Sequence, residues 1–418
     1  MPLYRDPGQG TSAIASSPLA FLALPVPGHV RHFFGEDTQV SALHEAPQTA
    51  TKLLVTAMGL IDTFDPRQRA TAIIDDFDDP RRLNWDIIPK PDRTGIPLHQ
   101  LDRHQKVLVW DLIRLAVPLR TFTKVLAIPQ LEHVLRDYEQ DFLGPALQTW
   151  RTSDSYFLTF FGRPGFEDTW TMRFLGHHVC LNLTIVDERW ISATPVALGA
   201  QPTEYDGVLK PLADDEGLAF DLLASLDDEQ RDLAVIHDVA PADFVTRQVP
   251  RIGAYEYPDH YDLGMPGYTI TDADRVALKF VRDRPSGISG AKLSGDQQHA
   301  LLGLVDCYLE RLPEEAGERH RQALRDGGID RVFFAWAGAQ KRGAPHYFRV
   351  HTDRYLIEAV NAVGGGNHLH TVLRDFDNDF GHDLLTLHAG TDSKWGRGHL
   401  SSRSISSADA DADPGLEH

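Results

Sequence analysis

The sequence predicts an α+β fold, built from internally duplicated helix, helix, antiparallel β-meander units with pseudo-two-fold symmetry. Three observations carry that expectation. The chain has 418 residues, 42% hydrophobic and 24% charged, a globular balance at a length that suits two or three core-sized units. Apolar residues first recur at helical spacing and then switch to a period of two. The same order of signals is then met a second time.

Residues 1–45 read as an N-terminal irregular segment. Its apolar run, Pro18 to Gly28 (PLAFLALPVPG), is broken by prolines and has no charged region directly before it, unlike a signal peptide. The first half, residues 46–210, carries FDPRQR from Phe64 to Arg69, where Asp65 can cap free backbone N–H groups and Pro66 suits the first helical position. A second helix follows from Leu101 (LDRHQKVLVWDLIRLA). Period-two stretches come next, SYFLTFFGRPG and DTWTMRFLGHHVCLNLTIVDERWISATPV, separated by Gly and Pro turns.

The second half, residues 211–390, repeats the series. LDDEQR, Leu226 to Arg231, offers Asp227 as the cap, and LSGDQQHALLGLVDCYLERL from Leu293 again has a glutamine four residues after its leading leucine. The strands RVFFAWAGAQKRGAP and HYFRVHTDRYLIEAVNAVGGGNHLHTVL complete it. Between helices, AYEYPDHYDLGMPG (254–267) reads as a Pro- and Gly-rich surface connection. Residues 391–418 form a polar tail ending in an LEH tag scar. Two antiparallel sheets are expected, one per half.

Composition narrows the function. A net charge of -19 and a pI near 5.4 argue against nucleic acid, whose phosphates require clustered Lys and Arg. No 18-residue apolar span occurs, so the expectation is a cytoplasmic protein with no membrane partner. Its partners would be a small-molecule substrate and, at most, a second copy of the chain in a homodimer. Cys180 and Cys307 are the only cysteines and each sits in an apolar run, so any metal would rest on His and carboxylate.

Aligning Gly162 with Gly338 and Arg173 with Arg349 sets His178 against Arg354, Asn182 against Glu358, and Thr194 against His370. Strand alternation then places His178 and Asn182 on one face and His177 on the other. Two apart in NHLH, His368 and His370 share a face and can chelate one ion. Glu358 lies in the apolar YLIEAV, where an unpaired carboxylate is costly to bury and a metal would resolve the cost.

The expected metal set is therefore His178, Glu358, His368 and His370, holding one divalent ion (zinc, iron or copper), with His177, Asn182 and Asn367 as substrate-binding neighbours. Catalytic roles fall to the run after NHLH. Arg374 would clamp an anionic group, Asp379 would orient a ligand histidine, and His382 would act as acid or base. Equally open is an ion pair of Arg374 with Asp375 that merely fixes the loop. The helical HExxH of zinc peptidases and the GxSxG nucleophile elbow are both absent.

The motifs FGRPG, GHHVCLN with ATPVALGAQP, FAWAG, YFRVHTDRYLIEAVN and NHLHTVLRDFDNDFGHDLL resemble the microbial domain-of-unknown-function family numbered 3500, over most of the chain. That resemblance implies that Gly176–His178 and Asn367–His370 belong to one functional region. It implies no activity. The residues themselves point to a metal-dependent enzyme acting on a small anionic molecule, a hydrolase first. A non-haem iron or copper oxygenase or oxidoreductase using the same site is the alternative, and a non-catalytic small-ligand-binding protein is the third reading.

Overall fold

Reciprocal caps start four of the described helices, and glutamines tie these four in pairs. The computed structural model describes residues 42–143, 151–166, 168–252 and 276–390, within a compact unit that begins at Val40. Helix α1 spans Pro47–Asp62 and α2 Pro66–Ala72, and Asp65 caps the latter by accepting from the Gln68 amide while the Gln68 side chain returns to the Asp65 N–H. Helix α3 (Arg103–Ala116) carries the same box in Asp102 and Gln105. The two glutamine side chains then meet at 2.9 Å. In the second half Asp227 and Gln230 cap Asp228–Ala234, Ser294 and Gln297 cap Gly295–Leu309, and Gln230 again meets Gln297 at 2.9 Å. Both aspartate caps expected from sequence are in place. The N-terminal apolar run, the connection at 254–267 and the tail from 391 lie outside the described residues.

The strands form one mixed sheet. In the first half they are β1 (Ile73–Ile74), β2 (Ile96–Pro97), β3 (Phe157–Phe161), β4 (Trp170–Gly176), β5 (Val179–Val186), β6 (Trp190–Ser192) and β7 (Val196–Ala200). The second half supplies β8 (Val235–His237), β9 (Ile288–Ser289), β10 (Phe333–Gly338), β11 (His346–His351), β12 (Tyr355–Asn361) and β13 (Leu369–Asp375). The order is β1-β3-β4-β5-β7-β13-β12-β11-β10-β8, with β2, β6 and β9 pairing β3, β5 and β10. From either edge a short parallel strand leads into an antiparallel meander. The expectation of two separate sheets is corrected here. Strands β7 and β13 pair antiparallel, from Leu369 opposite Ala200 to Leu373 opposite Val196, and fuse the halves into one sheet.

Both faces of the sheet are covered, which is why β3, β4 and β5 are buried at every residue. On one face Phe174, Leu181, Phe348 and Ile357 pack with helix residues such as Leu53, Val109 and Leu304. On the other, Leu175, Cys180, Val360 and Val372 pack with Trp85, Ile87, Phe244 and Phe280 from irregular segments. Arg173 stands opposite Asn182 on β5, and Arg349 stands opposite Glu358 on β12. No helix among the described residues is long and apolar enough to cross a membrane.

Candidate functional site

The β4–β5 hairpin turns on two histidines. Gly176 pairs with Val179, so His177 and His178 are the central residues of the turn, and His178 takes a left-handed φ of 64°. Histidine tolerates that region better than most residues, and a non-glycine there is a feature that needs a reason. The turn is held from three sides. Tyr156 donates its hydroxyl to the His177 carbonyl at 2.7 Å, His178 N–H donates to Ile87 O at 3.0 Å, and Gly199 N–H donates to His178 O at 2.8 Å.

This turn corrects the expected facing of His177. Alternation ends at Gly176, and both rings emerge together with centroids 3.6 Å apart. Strand β13 brings His368 and His370 against them from the other half. The His178 and His368 Nε2 atoms lie 2.8 Å apart. One ligand nitrogen each of His177, His178 and His368 falls within 4.8 Å of the others, and the His370 ring stands 5.0 Å from that of His178 and 4.6 Å from that of His368.

The outer nitrogens are tied to carboxylates. His177 Nδ1 contacts Glu132 Oε1, and Arg151 reaches the same nitrogen at 2.9 Å while also pairing with Glu132 and Glu139. His370 Nδ1 lies 3.1 Å from Asp243 Oδ1. At His370 the carboxylate favours the proton on Nδ1 and leaves the lone pair on Nε2, whereas His177 Nδ1 is shared between the Glu132 acceptor and the Arg151 donor. The Nε2 atoms of His177 and His370 are buried without a hydrogen-bond partner.

Burial, then the neighbouring imidazoles, pushes His178 and His368 well below the usual histidine value, and burial lowers His177 against the pull of Glu132. Near neutrality these rings are uncharged, the form that ligates metal. Burial alone would raise Glu132 and Asp243, but His177 and His370 respectively bring each below the ordinary carboxylate range.

Other expected residues sit elsewhere. Glu358 is buried on β12, but its oxygens accept from Val245 N–H at 2.8 Å, Tyr347 hydroxyl at 3.0 Å and the Thr246 hydroxyl. Those donors meet the carboxylate, and the converging group of His177, His178 and His368 does not include Glu358. It anchors the segment that presents Asp243. Asn182 is buried and donates to Cys180 Sγ and Pro195 O, and Asn367 is exposed and accepts from Thr203 N–H at 3.0 Å.

Arg374 is fully buried and committed to Asp379 at 2.5 Å and to Val249 O at 2.9 Å, against the Trp85 ring. Four strand residues, about 13 Å, separate its backbone from that of His370. The sequence-derived catalytic trio is thus found in other contacts. Arg374 and Asp379 form an ion pair that shapes the 375–381 turn, which Asp379 also caps through Asp375 N–H at 3.0 Å, and His382 opens the exposed start of the last helix, His382–Gly390. The alternative pairing of Arg374 with Asp375 is not formed either, because Asp375 binds Arg354 at 2.8 Å.

Glu132, Asp243, Tyr156 and Gly199 escaped the sequence reading. A glycine ending an apolar strand in VALGA, and two polar residues between strands in GHHV, were the available signals for Gly199 and for the turn. Glu132 and Asp243 gave none.

A family model described as Protein of unknown function (DUF3500) matches residues 46–382, which include every strand and all four histidines. The chain belongs to this family. No curated protein and no solved structure matches it. The site of this DUF3500 chain must therefore be interpreted from its own chemistry.

Proposed function

We propose that the protein is a metal-dependent enzyme, a hydrolase, whose single divalent ion is held by His178, His368 and the Nε2 atoms of His177 and His370. One observation carries this reading. Buried imidazole nitrogens from two distant parts of the chain converge, two of them without a partner, and the outer nitrogens of His177 and His370 are fixed by carboxylates. Buried polar atoms are nearly always paired, so unpartnered nitrogens within one group of packed imidazoles argue for a ligand.

Ligands that are all neutral leave the full double charge on the ion. Such an ion lowers the pKa of bound water from 15.7 to about 7 and polarises a carbonyl or related group, which is the basis for preferring hydrolysis. The same imidazole set suits iron and copper, and this supports oxidoreductase chemistry as the second reading. The substrate is a small anionic molecule. Two buried, unpaired cysteines accord with a cytoplasmic location.

Internal duplication is part of the same proposal. Gly162 and Gly338 both have positive φ, and a side chain at either would strike the carbonyl just ahead of the next strand, Thr169 O or Pro345 O; Gly95 and Gly287, also at positive φ, would strike Leu158 O and Phe334 O. The second copy has Arg354 where the first has His178, and the first has Thr194 where the second has His370, so the pair of halves makes one metal site.

The test is elemental analysis of protein purified without nickel, with oxygen uptake followed alongside. About one zinc per chain with no oxygen consumption supports the hydrolase. Iron or copper with oxygen uptake supports the redox reading, and absence of stoichiometric metal, unaltered by His368→Ala, sinks both.

A further inference from the structure

Arg173 on β4 is 1% exposed and has no ion-pair partner among the described residues. Its Nη1 donates to the carbonyls of Asn84, at 2.7 Å, and Arg81, and its plane lies over the Phe161 ring. Nε is buried without an acceptor. Beside it, Arg93 spends both Nη atoms on the carbonyls of Asp86 and Ile88 and also leaves Nε unpartnered. Both arginines line a cavity of about 300 Å³ together with Asn84, Lys90, Thr94 and Leu175. Asp92 supplies the one carboxylate in that lining.

A buried guanidinium without a counter-charge is expensive to keep, most of all where its remaining donors face an open volume. Arg349, opposite Glu358 on β11, also leaves its Nε without an acceptor, but both of its Nη atoms are partnered. Its Nη1 donates to Leu278 O at 3.0 Å and its Nη2 to the Ser286 hydroxyl and Lys279 O. Arg173 has no such hydroxyl, and its Nη2, which makes no hydrogen bond among the described residues, is the donor left for an oxyanion.

We infer that this cavity binds an oxyanion, the carboxylate or phosphate group of a small molecule, against Arg173 and Arg93 with Lys90 at its rim. In a chain of net charge -19 a general attraction for anions is absent, so affinity at this place must come from Arg173 and Arg93, with Lys90, which also pairs with Asp86, at the rim. The subsite takes over the anion-holding role that Arg374, paired with Asp379, does not offer. Leu175 lines the cavity and stands two residues before His177, on the strand that leads into the histidine turn. The observations are independent of any metal.

Calorimetric titration of the full chain with inorganic phosphate and with acetate, at constant ionic strength, tests the inference. Saturable one-site binding of at least one anion is expected, weakened tenfold or more by Lys90→Glu and by Arg93→Gln. Lys90 is 40% exposed and its ion pair with Asp86 is a surface one, so its replacement perturbs the fold less than that at buried Arg93, and a circular dichroism spectrum checks each variant. Binding should persist in chelator-treated protein and in His368→Ala. Failure of both anions to saturate the wild type, wild-type affinity in Lys90→Glu, or loss of binding on removal of metal would each overturn it; the last result would place the anion on the ion instead.

Discussion

The imidazole of His178 lies directly on the Cα of Gly199. A methyl group at that position would meet His178 Cδ2 at 2.8 Å and Cγ at 2.9 Å, and Leu369 O at 2.9 Å. No ring placed as His178 is can coexist with a side chain there. Gly199→Ala should therefore swing the ring out of line with His368, at a stability cost of about 1–3 kcal/mol. Metal content after dialysis against a weak chelator should fall steeply while the circular dichroism spectrum is retained. Full retention of metal in this variant would remove His178 from the ligand set.

The carboxylates behind His177 and His370 offer a gentler probe. Asp243→Asn keeps the shape but removes the charge that fixes the Nδ1 proton of His370, and losses of this kind cost about 10–100-fold in metal affinity. Glu132→Gln should act on His177 similarly, with added destabilisation because Arg151 loses a buried partner. Competition with a fluorescent chelator measures both. Equal affinities in wild type and Asp243→Asn would show that His370 is not a ligand.

What could be read ahead of the structure was local. Asp65, Asp227 and the glutamines at 105 and 297 follow from capping over three or four residues, and the Arg173 and Arg349 register follows from alternation along strands. The histidines at 178 and 368 were legible as types, but their meeting depends on β7 pairing with β13, a contact between halves. His177 was misplaced because alternation was carried one residue beyond Gly176 into a turn. For Glu358 the physical premise was sound, since a buried carboxylate needs compensation. It comes from backbone and hydroxyl donors on a loop far away in sequence, as does the contact of Asp243 with His370.

Acid should unfold the protein from a higher pH than carboxylates alone would dictate. Burial, then Arg354, pushes His44 well below the usual histidine value, with His320 adding to it; burial and Arg354 do the same to His320. His351, enclosed by Phe280 and Phe376, is pushed down to about 3 by burial and Arg349. The native state keeps these rings neutral while the unfolded chain protonates them below about 6.5. Stability is then complete above that pH and falls as pH drops from it, by about 1.4 kcal/mol per pH unit for each ring. Urea midpoints between pH 7.5 and 5 should show the decline, and His351→Leu should reduce its slope by one proton. An unchanged slope in that variant would mean that His351 does not contribute.

A buried triad beneath the central strands gives a sharper contrast. Asp215, fully buried, accepts from Lys124 and Arg311 at 2.7 Å each, and Arg311 also donates to Thr371 on β13 at 2.8 Å. Burial by itself would raise the Asp215 carboxyl, but Arg311 and Lys124 bring it below the ordinary value, so its contribution is present above that value and is lost as pH falls through the depressed one. Asp215→Asn leaves two buried cations without a counter-charge and should cost about 3–5 kcal/mol. Replacing all three with apolar residues of similar volume should recover most of that loss, because the desolvation of every charge is then relieved together. Urea unfolding of the single and triple variants decides the matter. A triple variant as unstable as Asp215→Asn would show that the triad is needed for packing under β13, where Thr371 meets Arg311, and not only for charge balance.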